Sequence, residues 1–235
     1  LKVSRLLALR YSNKFLAVSK SAGNSLFKTN NYQLLSLSID ISQFNPINEK
    51  QIVRRDFHLR EDDFVIGHVG RFDTQKNHAF LLKVAKELIQ LNPKTKIFLI
   101  GKGPLEEEIK IKITENDLDG YFVFVGLRSD VPQIMSNIMN AFLFPSLSEG
   151  LGLVLVEAQA AGLPIICSDV IPDEAIVNTD LVQKISLSQS TKEWAEVLMT
   201  HYKRNKHYEQ KKAYKKIEGS AFNLNNTIKI LEEIW

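Results

Sequence analysis

The stretch that decides the fold runs from residue 141 to residue 162 and reads AFLFPSLSEGLGLVLVEAQAAG. Its first four residues are all apolar and predict a buried strand, and residues 153–161 predict a helix that Gly162 ends. Similar apolar runs lie on both sides, at residues 15–19, 33–38, 64–70, 96–100, 121–125 and 164–167. Amphipathic segments of helix length separate these runs, which are continuously apolar, as is typical of strands covered on both faces. The alternation predicts an α/β fold with a doubly wound, Rossmann-like parallel sheet.

Bulk composition excludes several classes of protein. The chain has 235 residues, 44% of them hydrophobic, and a formal net charge of +3, which is too small to indicate a nucleic-acid partner. The single cysteine, Cys167, excludes an internal disulfide and is expected to be an inert core thiol. No apolar run reaches the roughly 18 residues that a membrane span needs, and no signal-peptide pattern is present. These features predict a cytoplasmic protein.

The loop between the strand and the helix of residues 141–162 is suited to bind an anion. Gly150 and Gly152 let a ligand approach the backbone closely, and the first helical turn leaves N–H groups without intrahelical partners. The helix dipole adds partial positive charge there. Glu157 lies about 7.5 Å further along the helix axis, at a distance that suits hydrogen bonds to sugar hydroxyls. From spacing alone, a glycine-capped helix with a solvated Glu157 remains an alternative.

A second loop carries two cations. Residues 69–77 read VGRFDTQKN, follow a predicted strand and precede a predicted helix. Arg71 and Lys76 are placed to bind phosphate oxygens, the arginine as a fork and the lysine as a point charge. The loop lacks the Gly-Lys-Ser/Thr ending of a Walker A motif. A cationic and a glycine-rich loop, both at strand ends, together favour a diphosphate site.

The order and spacing of these motifs resemble the group 1 glycosyltransferases of the GT-B fold. The resemblance covers nearly the whole chain and is carried by VGR and KN within residues 69–77, GKGP at 101–104, VGLRSDV at 125–131, Glu149 and Glu157 with seven residues between them, and AAGLPIICSD at 160–169. Residues 171–195 are similar to members that build bacterial capsular and exopolysaccharides. The resemblance implies a retaining enzyme that moves a sugar from a UDP- or GDP-linked donor to a saccharide or lipid-linked acceptor.

The resemblance also implies a role for each site residue. Arg71 and Lys76 would bind the donor diphosphate and stabilise the leaving group, and Glu149 would contact the donor sugar at the reacting centre. Glu157 would bind the ribose hydroxyls. Backbone near Leu127 and Arg128 would bind the base, and backbone N–H groups of Gly150, Leu151, Gly152 and Leu153 would help to bind the phosphates. Gly70 is also implied as a donor-binding residue. No metal ion and no cofactor are implied, because protein groups would neutralise the phosphates and the nucleotide sugar is a co-substrate.

The same resemblance implies how the chain is divided. Residues 1–40 would be the tail of an acceptor-binding N-terminal domain, residues 41–200 the nucleotide-sugar-binding domain, and residues 201–235 C-terminal helices. The last helix would cross back toward the N-terminal domain and expose part of an apolar stripe formed by Leu224, Ile228, Leu231 and Trp235. The acceptor domain and the family's active-site histidine would lie upstream of Leu1. This chain by itself is therefore expected to bind the donor without transferring sugar.

Two positions depart from the family's pattern. Many relatives carry a Gly-Gly pair before the glutamate that matches Glu174, whereas Ile171 and Pro172 stand here. None of the five histidines matches the family's active-site histidine, and strand or helix positions in the core or on the surface are expected for His58, His68, His78, His201 and His207.

Other functions remain to be weighed against this one. An NAD(P)-dependent oxidoreductase would carry a third glycine where Glu106 follows Gly101-Lys102-Gly103. A metal-dependent transferase would need Asp-x-Asp after a strand, and residues 117–119 precede one instead. A nucleotide-binding module without transfer activity is a third alternative.

A basic cluster near the C-terminus has two interpretations. Its cations are Lys203, Arg204, Lys206, Lys211, Lys212, Lys215 and Lys216, with Glu209 as the one acid between them. It is either a solvated helix face or a peripheral contact with anionic lipid at the inner face of the cell membrane.

Overall fold

The structure is a computed structural model that describes residues 10–27, 32–35, 37–45 and 54–234. It begins with a small parallel unit formed by β1 (Leu16–Ala17), α1 (Lys20–Phe27) and β2 (Gln33–Leu34). Both strands are shorter than the predicted runs. Gln33 and Leu34 are both exposed, and β2 pairs with β1 alone among the described residues, so little apolar burial stabilises a longer strand.

A parallel sheet forms the centre of the molecule. Within the described residues it contains six strands, β3 (Phe64–Val69), β4 (Thr95–Ile100), β5 (Phe122–Gly126), β6 (Ala141–Phe144), β7 (Ile165–Ser168) and β8 (Val182–Ile185). The strand order is β5-β4-β3-β6-β7-β8, with every neighbouring pair parallel. The predicted doubly wound sheet is confirmed, and the predicted strand ends differ from the observed ones by one residue at most for β3 to β7.

Strand β8 is the element that the apolar pattern did not predict. Its two central residues, Gln183 and Lys184, are polar, because β8 lies at the edge of the sheet and pairs with β7 alone among the described strands. Lys184 is paired with Asp173 at 2.5 Å. An edge strand with one solvated flank does not need the continuous apolar run by which the central strands were recognised.

Helices cover both faces of the sheet. They are α2 (His78–Leu91), α3 (Glu106–Thr114), α4 (Val131–Asn137), α5 (Leu153–Ala160), α6 (Thr191–Asn205), α7 (Gln210–Glu218) and α8 (Leu224–Ile234). One buried cluster joins one face of the sheet to α2, α3 and α6, and Trp194 is its largest buried side chain. The other cluster joins the opposite face to α4, α5 and α7. Because α2 follows β3 and α5 follows β6, these neighbouring strands send their helices to opposite faces.

Gln159 fixes the segment between β7 and β8. Its side chain is completely buried, and its amide donates to the carbonyls of Leu155 (3.0 Å) and Ala175 (2.8 Å). Its oxygen accepts from the N–H groups of Val177 (2.9 Å) and Asn178 (2.8 Å). The side chain therefore ties α5 to the loop that carries Ile171 and Pro172, both of which are buried. This loop departs from the family's Gly-Gly pattern and is held by packing and by Gln159.

The C-terminal helices lie where the sequence predicted them, and the last one, α8, exposes part of its apolar stripe. The predicted boundary between residues 200 and 201 falls inside α6, which continues to Asn205. Leu224 and Ile228 of α8 are 47% and 44% exposed, as expected for part of the apolar stripe. Trp235 lies outside the described residues. Helix α7 begins near the amino edge of the sheet, where the Cα atom of Gln210 lies 3.2 Å from the Cβ position of Gly162.

Candidate functional site

Two loops meet at the carboxyl edge of the sheet. The cation loop (residues 70–77) follows β3 and the glycine loop (residues 145–152) follows β6. Strands β3 and β6 are hydrogen-bonded neighbours, and the strand order runs away from them in both directions. A crevice opens where neighbouring parallel strands send their helices to opposite faces, and ligands of open α/β sheets bind there. The sheet topology therefore places the two predicted phosphate-binding loops side by side.

Hydrogen bonds join the two loops directly. Gln75 donates from Nε2 to the carbonyl of Ser148 (2.6 Å), and its own carbonyl accepts from the N–H of Leu147 (2.8 Å). Asn77 adopts a left-handed conformation with φ of 56° and donates from Nδ2 to the carbonyl of Pro145 (3.1 Å). Sequence reasoning did not identify Gln75 or Asn77 as site residues. They hold the glycine loop against the cation loop, so the two loops form one unit.

Lys76 and Glu149 form an ion pair between the same loops. The Lys76 Nζ atom lies 2.5 Å from Glu149 Oε1, and the two side chains are 16% and 7% exposed. The ammonium group also lies 4.8 Å from the centre of the Phe144 ring. The sequence-based interpretation gave Lys76 to the diphosphate and Glu149 to the sugar. The structure brings both residues to the predicted place but pairs them with each other.

Arg71 differs from Lys76 in its surroundings. Its side chain is exposed, and no acidic side chain pairs with it among the described residues.

Close backbone packing fixes the position of the cation loop. A Cβ atom on Gly101 would lie 2.1 Å from the carbonyl oxygen of Gly70, so only a glycine fits there. A Cβ atom on Gly103 would lie 2.4 Å from the carbonyl oxygen of Phe72. The two glycines of the GKGP stretch thus let the next loop pack against the cation loop.

The start of α5 offers unpaired backbone donors. Gly152 is the N-cap residue, has φ of 84° and provides no side-chain hydrogen bond to the helix. The Leu155 N–H donates to the carbonyl of Gly152 (2.8 Å), and the N–H groups of Leu153 and Val154 are available to an anion. Gly150 is exposed, whereas the Leu151 side chain is 4% exposed and belongs to the core. The predicted contacts of this segment can only be made by its backbone.

Glu157 lies on α5, one turn beyond this start. Its side chain is mostly buried, and no described residue donates a hydrogen bond to its carboxylate or pairs with it as a cation. Burial raises the pKa of this carboxyl from 4.5 to about 7. This burial argues against the interpretation of Glu157 as a merely solvated residue. A mostly buried carboxyl group without a partner is a typical acceptor for ligand hydroxyls.

A cavity of about 360 Å³ opens beside the cation loop. The residues that line it are Val69, Gly70, Arg71, Ile100, Gly101, Lys102, Leu127, Arg128 and Val131. Leu127 is 74% exposed, and Arg128 forms two hydrogen bonds with Asp130, of 2.7 and 2.5 Å. This contact lowers the pKa of Asp130. The structure thus places the two residues assigned to the base on the wall of a cavity that Arg71 also lines.

Three of the five histidines, His68, His78 and His201, and the cysteine are buried in the core. His78 stacks on Phe72 with 4.2 Å between ring centres, and burial lowers its pKa to about 4. His68 donates from Nδ1 to the carbonyl of Leu143 (3.0 Å), and His201 is buried in α6. His58 and His207 lie in turns, not on helices as expected, and His58 has φ of 55°. Cys167 is completely buried, which raises its pKa to about 12.

The described residues contain no candidate metal site and no candidate membrane span. Among them, no three or more His, Cys, Asp or Glu side chains come together as a metal site would require. None of the helices within the described ranges combines the length and the apolar character that crossing a bilayer requires.

Comparisons with known proteins agree on the fold. The Anabaena protein Alr3699/HepE, whose crystal structure contains UDP, superimposes with a TM-score of 0.79 at 20% identity and covers 99% of this chain and 66% of that one. The structure of WaaG, a glycosyltransferase involved in lipopolysaccharide biosynthesis, matches with a TM-score of 0.77 at 19% identity, covering 94% of this chain and 62% of that one. The predicted half of a GT-B fold is confirmed by these GT-B structures.

Sequence relatives carry the names of glycosyltransferases. EpsF of Bacillus subtilis (strain 168), which is named as a glycosyltransferase, is 37% identical over 207 residues. The match covers 84% of this chain and 53% of EpsF. The UDP-Gal:alpha-D-GlcNAc-diphosphoundecaprenol alpha-1,3-galactosyltransferase of Escherichia coli is 32% identical over 146 residues, or 60% of this chain and 38% of its own length. This chain thus spans about half the length of these relatives or less. The model of the family "Glycosyl transferases group 1" matches residues 49–217, and this chain belongs to that family.

Proposed function

We propose that this chain binds a nucleoside-diphosphate-sugar and supplies the donor-binding half of a glycosyltransferase in bacterial polysaccharide biosynthesis. The observation that carries the proposal is the meeting of the cation loop and the glycine loop at the carboxyl edge of the sheet, beside the cavity that Arg71 lines. Arg71, Lys76 and the N-terminus of α5 all lie at this edge, and together they provide two cations and the N–H groups of Leu153 and Val154. A diphosphate is the ligand that matches such a site, since its charge is spread over several acceptor oxygens.

The same groups suit the chemistry of glycosyl transfer. Negative charge develops on the nucleoside diphosphate as its bond to the sugar breaks, and cations fixed at the diphosphate stabilise that charge. Glu157, without a partner among the described residues, is assigned to the ribose hydroxyls. The cavity beside Leu127 and Arg128 is assigned to the base, and Glu149 to the donor sugar. No step of this proposal needs a metal ion or a cofactor.

The names of relatives support a uridine nucleotide and a polysaccharide product. The relative from Escherichia coli is named for transfer of galactose from UDP-Gal to a diphosphoundecaprenol-linked sugar. Another relative, from Staphylococcus aureus, is named as a capsular polysaccharide biosynthesis glycosyltransferase and is 30% identical over 178 residues. UDP is therefore the first nucleotide to test on this chain, with GDP as the comparison. These relatives are longer than this chain, and their additional length is enough for an N-terminal domain. We assign acceptor binding to a domain of that kind.

Binding of UDP to the 235-residue chain tests the proposal, and Arg71→Ala is the variant that locates the site. We expect wild type to bind UDP and the variant to bind it about 10-fold to 100-fold more weakly, because a charge-assisted contact to phosphate is lost. Isothermal titration calorimetry at low salt measures both dissociation constants. Arg60→Ala is the matched control, since Arg60 is also exposed but precedes β3, at the opposite edge of the sheet.

Two results would contradict the donor-site proposal. One is a wild-type chain that binds neither UDP nor GDP. The other is an equal loss of UDP affinity in Arg71→Ala and in Arg60→Ala. Of these two arginines, only Arg71 lies at the carboxyl edge of the sheet, so a site there should not depend on Arg60.

The proposal assigns any contact with a bilayer to the basic cluster. Six of its cations are exposed, and Lys216 pairs with Asp180 at 3.0 Å. The cluster lies at the amino edge of the sheet, because His201 contacts the carbonyl of Leu181 just before β8. A contact there would leave the crevice facing away from the bilayer, so the cluster would hold the protein at a membrane without delivering a lipid-linked acceptor.

Co-sedimentation with phosphatidylglycerol vesicles at low salt tests this assignment. We expect binding by wild type and loss of binding when Lys211, Lys212 and Lys215 are all changed to glutamine, because each cation near an anionic surface contributes about 1 kcal/mol. Phosphatidylcholine vesicles are the control. A wild-type chain that stays in the supernatant with both lipids rules the contact out.

A further inference from the structure

We infer that Glu149 competes with the bound diphosphate for Lys76, so that this carboxylate sets the affinity of the chain for nucleoside diphosphates. The inference rests on the proposed function, because it requires that Lys76 faces the diphosphate. It concerns the ion pair between Lys76 and Glu149 rather than the role of either residue alone. A ligand that needs the Lys76 ammonium group must take it from a carboxylate that already holds it.

The geometry shows how firmly Lys76 is held before a ligand arrives. Its Nζ atom lies 2.5 Å from Glu149 Oε1, and the pair is mostly shielded from water. Its N–H donates to Asp73 Oδ1 (3.2 Å), which fixes the backbone at the base of the side chain. A Cβ atom on Gly70 would lie 3.0 to 3.1 Å from the Lys76 methylene carbons, so the stem runs closely over Gly70. Backbone, stem and charge are all fixed in the paired arrangement.

Arg71 provides the internal comparison. It lies on the same loop, but it is exposed and has no acidic partner among the described residues. A diphosphate can therefore bind Arg71 without breaking an ion pair, whereas binding to Lys76 means sharing or displacing Glu149. The two cations should differ in what they contribute. The charge of Arg71 is available in full, and that of Lys76 is reduced by its existing partner.

Removing the charge of Glu149 should then strengthen nucleotide binding. Glutamine has the same shape and can still accept a hydrogen bond from Lys76, but it does not compete as an anion. We expect Glu149→Gln to bind UDP roughly fivefold more tightly than wild type, a difference of about 1 kcal/mol in the free energy of binding. The same change would weaken sugar transfer in a complete enzyme, so affinity and turnover would move in opposite directions.

A double-mutant cycle separates competition from simple repulsion between Glu149 and the phosphates. Wild type, Glu149→Gln, Lys76→Gln and the double variant are titrated with UDP by calorimetry, using the 235-residue chain. Competition predicts that Glu149→Gln tightens binding only when Lys76 is present. Repulsion predicts the same tightening in both backgrounds. Glu174→Gln is the charge control, because Glu174 accepts from the N–H of Lys20 (3.1 Å) and not from Lys76.

The inference is overturned if Glu149→Gln binds UDP no more tightly than wild type, if the tightening persists without Lys76, or if Glu174→Gln produces the same gain. Uridine, which lacks phosphate, is the second probe and should bind wild type and Glu149→Gln equally. Thermal denaturation of each variant verifies that it is folded, and Glu149→Ala provides a second way to remove the carboxylate. A wild type that binds neither UDP nor GDP overturns the proposed function itself, which is a different result from wild-type binding without tightening.

Discussion

Replacing Lys76 with methionine is expected to lower the free energy of unfolding of this chain by about 3 kcal/mol. Methionine keeps most of the apolar stem but removes the ammonium group that lies 2.5 Å from the Glu149 carboxylate. Glu149 is only 7% exposed, so water does not replace the lost partner and a buried charge is left uncompensated. Urea denaturation followed by circular dichroism at pH 7 measures the loss.

The control for this prediction is an ion pair of similar length on the surface. Lys94 lies 2.6 Å from Asp62, but the two side chains are 60% and 58% exposed, so Lys94→Met should change stability by less than about 1 kcal/mol. The double variant Lys76→Met/Glu149→Gln should recover most of the lost stability, because the stranded carboxylate is removed as well. Equal losses for the two lysines, or no recovery in the double variant, would contradict a buried pair whose members depend on each other.

Glu157→Gln is expected to stabilise the chain at pH 8 and to leave its stability unchanged at pH 4. Burial raises the pKa of Glu157 from 4.5 to about 7. The folded state therefore binds the proton more tightly than the unfolded state, and this residue makes stability fall as the pH rises from about 4.5 to about 7. The full difference corresponds to at most about 3 kcal/mol, and partial exposure reduces it to an expected gain of about 1–3 kcal/mol at pH 8.

Unfolding curves of wild type and Glu157→Gln at both pH values measure this effect. The difference between the two proteins isolates Glu157 from the other titrating groups. Glu115→Gln, at the exposed end of α3, is the control and should shift neither curve. If Glu157→Gln is neutral at pH 8, the carboxylate is solvated and the ribose assignment loses its main support. A carboxylate that destabilises its own fold at neutral pH is typical of a ligand-binding position.

The central strands could be predicted because their physical requirement is visible in the chain itself. A strand covered on both faces needs consecutive apolar residues, and β3, β4 and β6 have them. That requirement relaxes at the sheet edge and in the small N-terminal unit. Strand β8 was therefore missed, and β1 and β2 were predicted too long. These errors have one cause. The burial of a strand depends on the strands and helices that pack against it, and the sequence of the strand itself does not show which these are.

The loops of the site could be predicted, but not the contacts between them. Residues that follow parallel strands lie at the carboxyl edge, so Arg71 and Glu149 could be assigned to the same region before the strand order was known. That β3 and β6 are direct neighbours decides which side chains touch. The pairing of Lys76 with Glu149 and the bridging by Gln75 and Asn77 follow from this adjacency alone. The ligand roles given to the individual site residues stay predictions.

The contacts between the cation loop and the glycine loop also bear on the speed of ligand capture. Gln75 and Asn77 already fix the glycine loop, so a nucleotide does not have to order it on arrival. Ordering a free side chain on binding costs about 0.5–1.5 kcal/mol, and here that entropy is lost during folding instead. Binding of the proposed nucleotide at these joined loops would then need no slow rearrangement of the backbone. Differences in affinity between related nucleotides should then reside in how long each one stays bound.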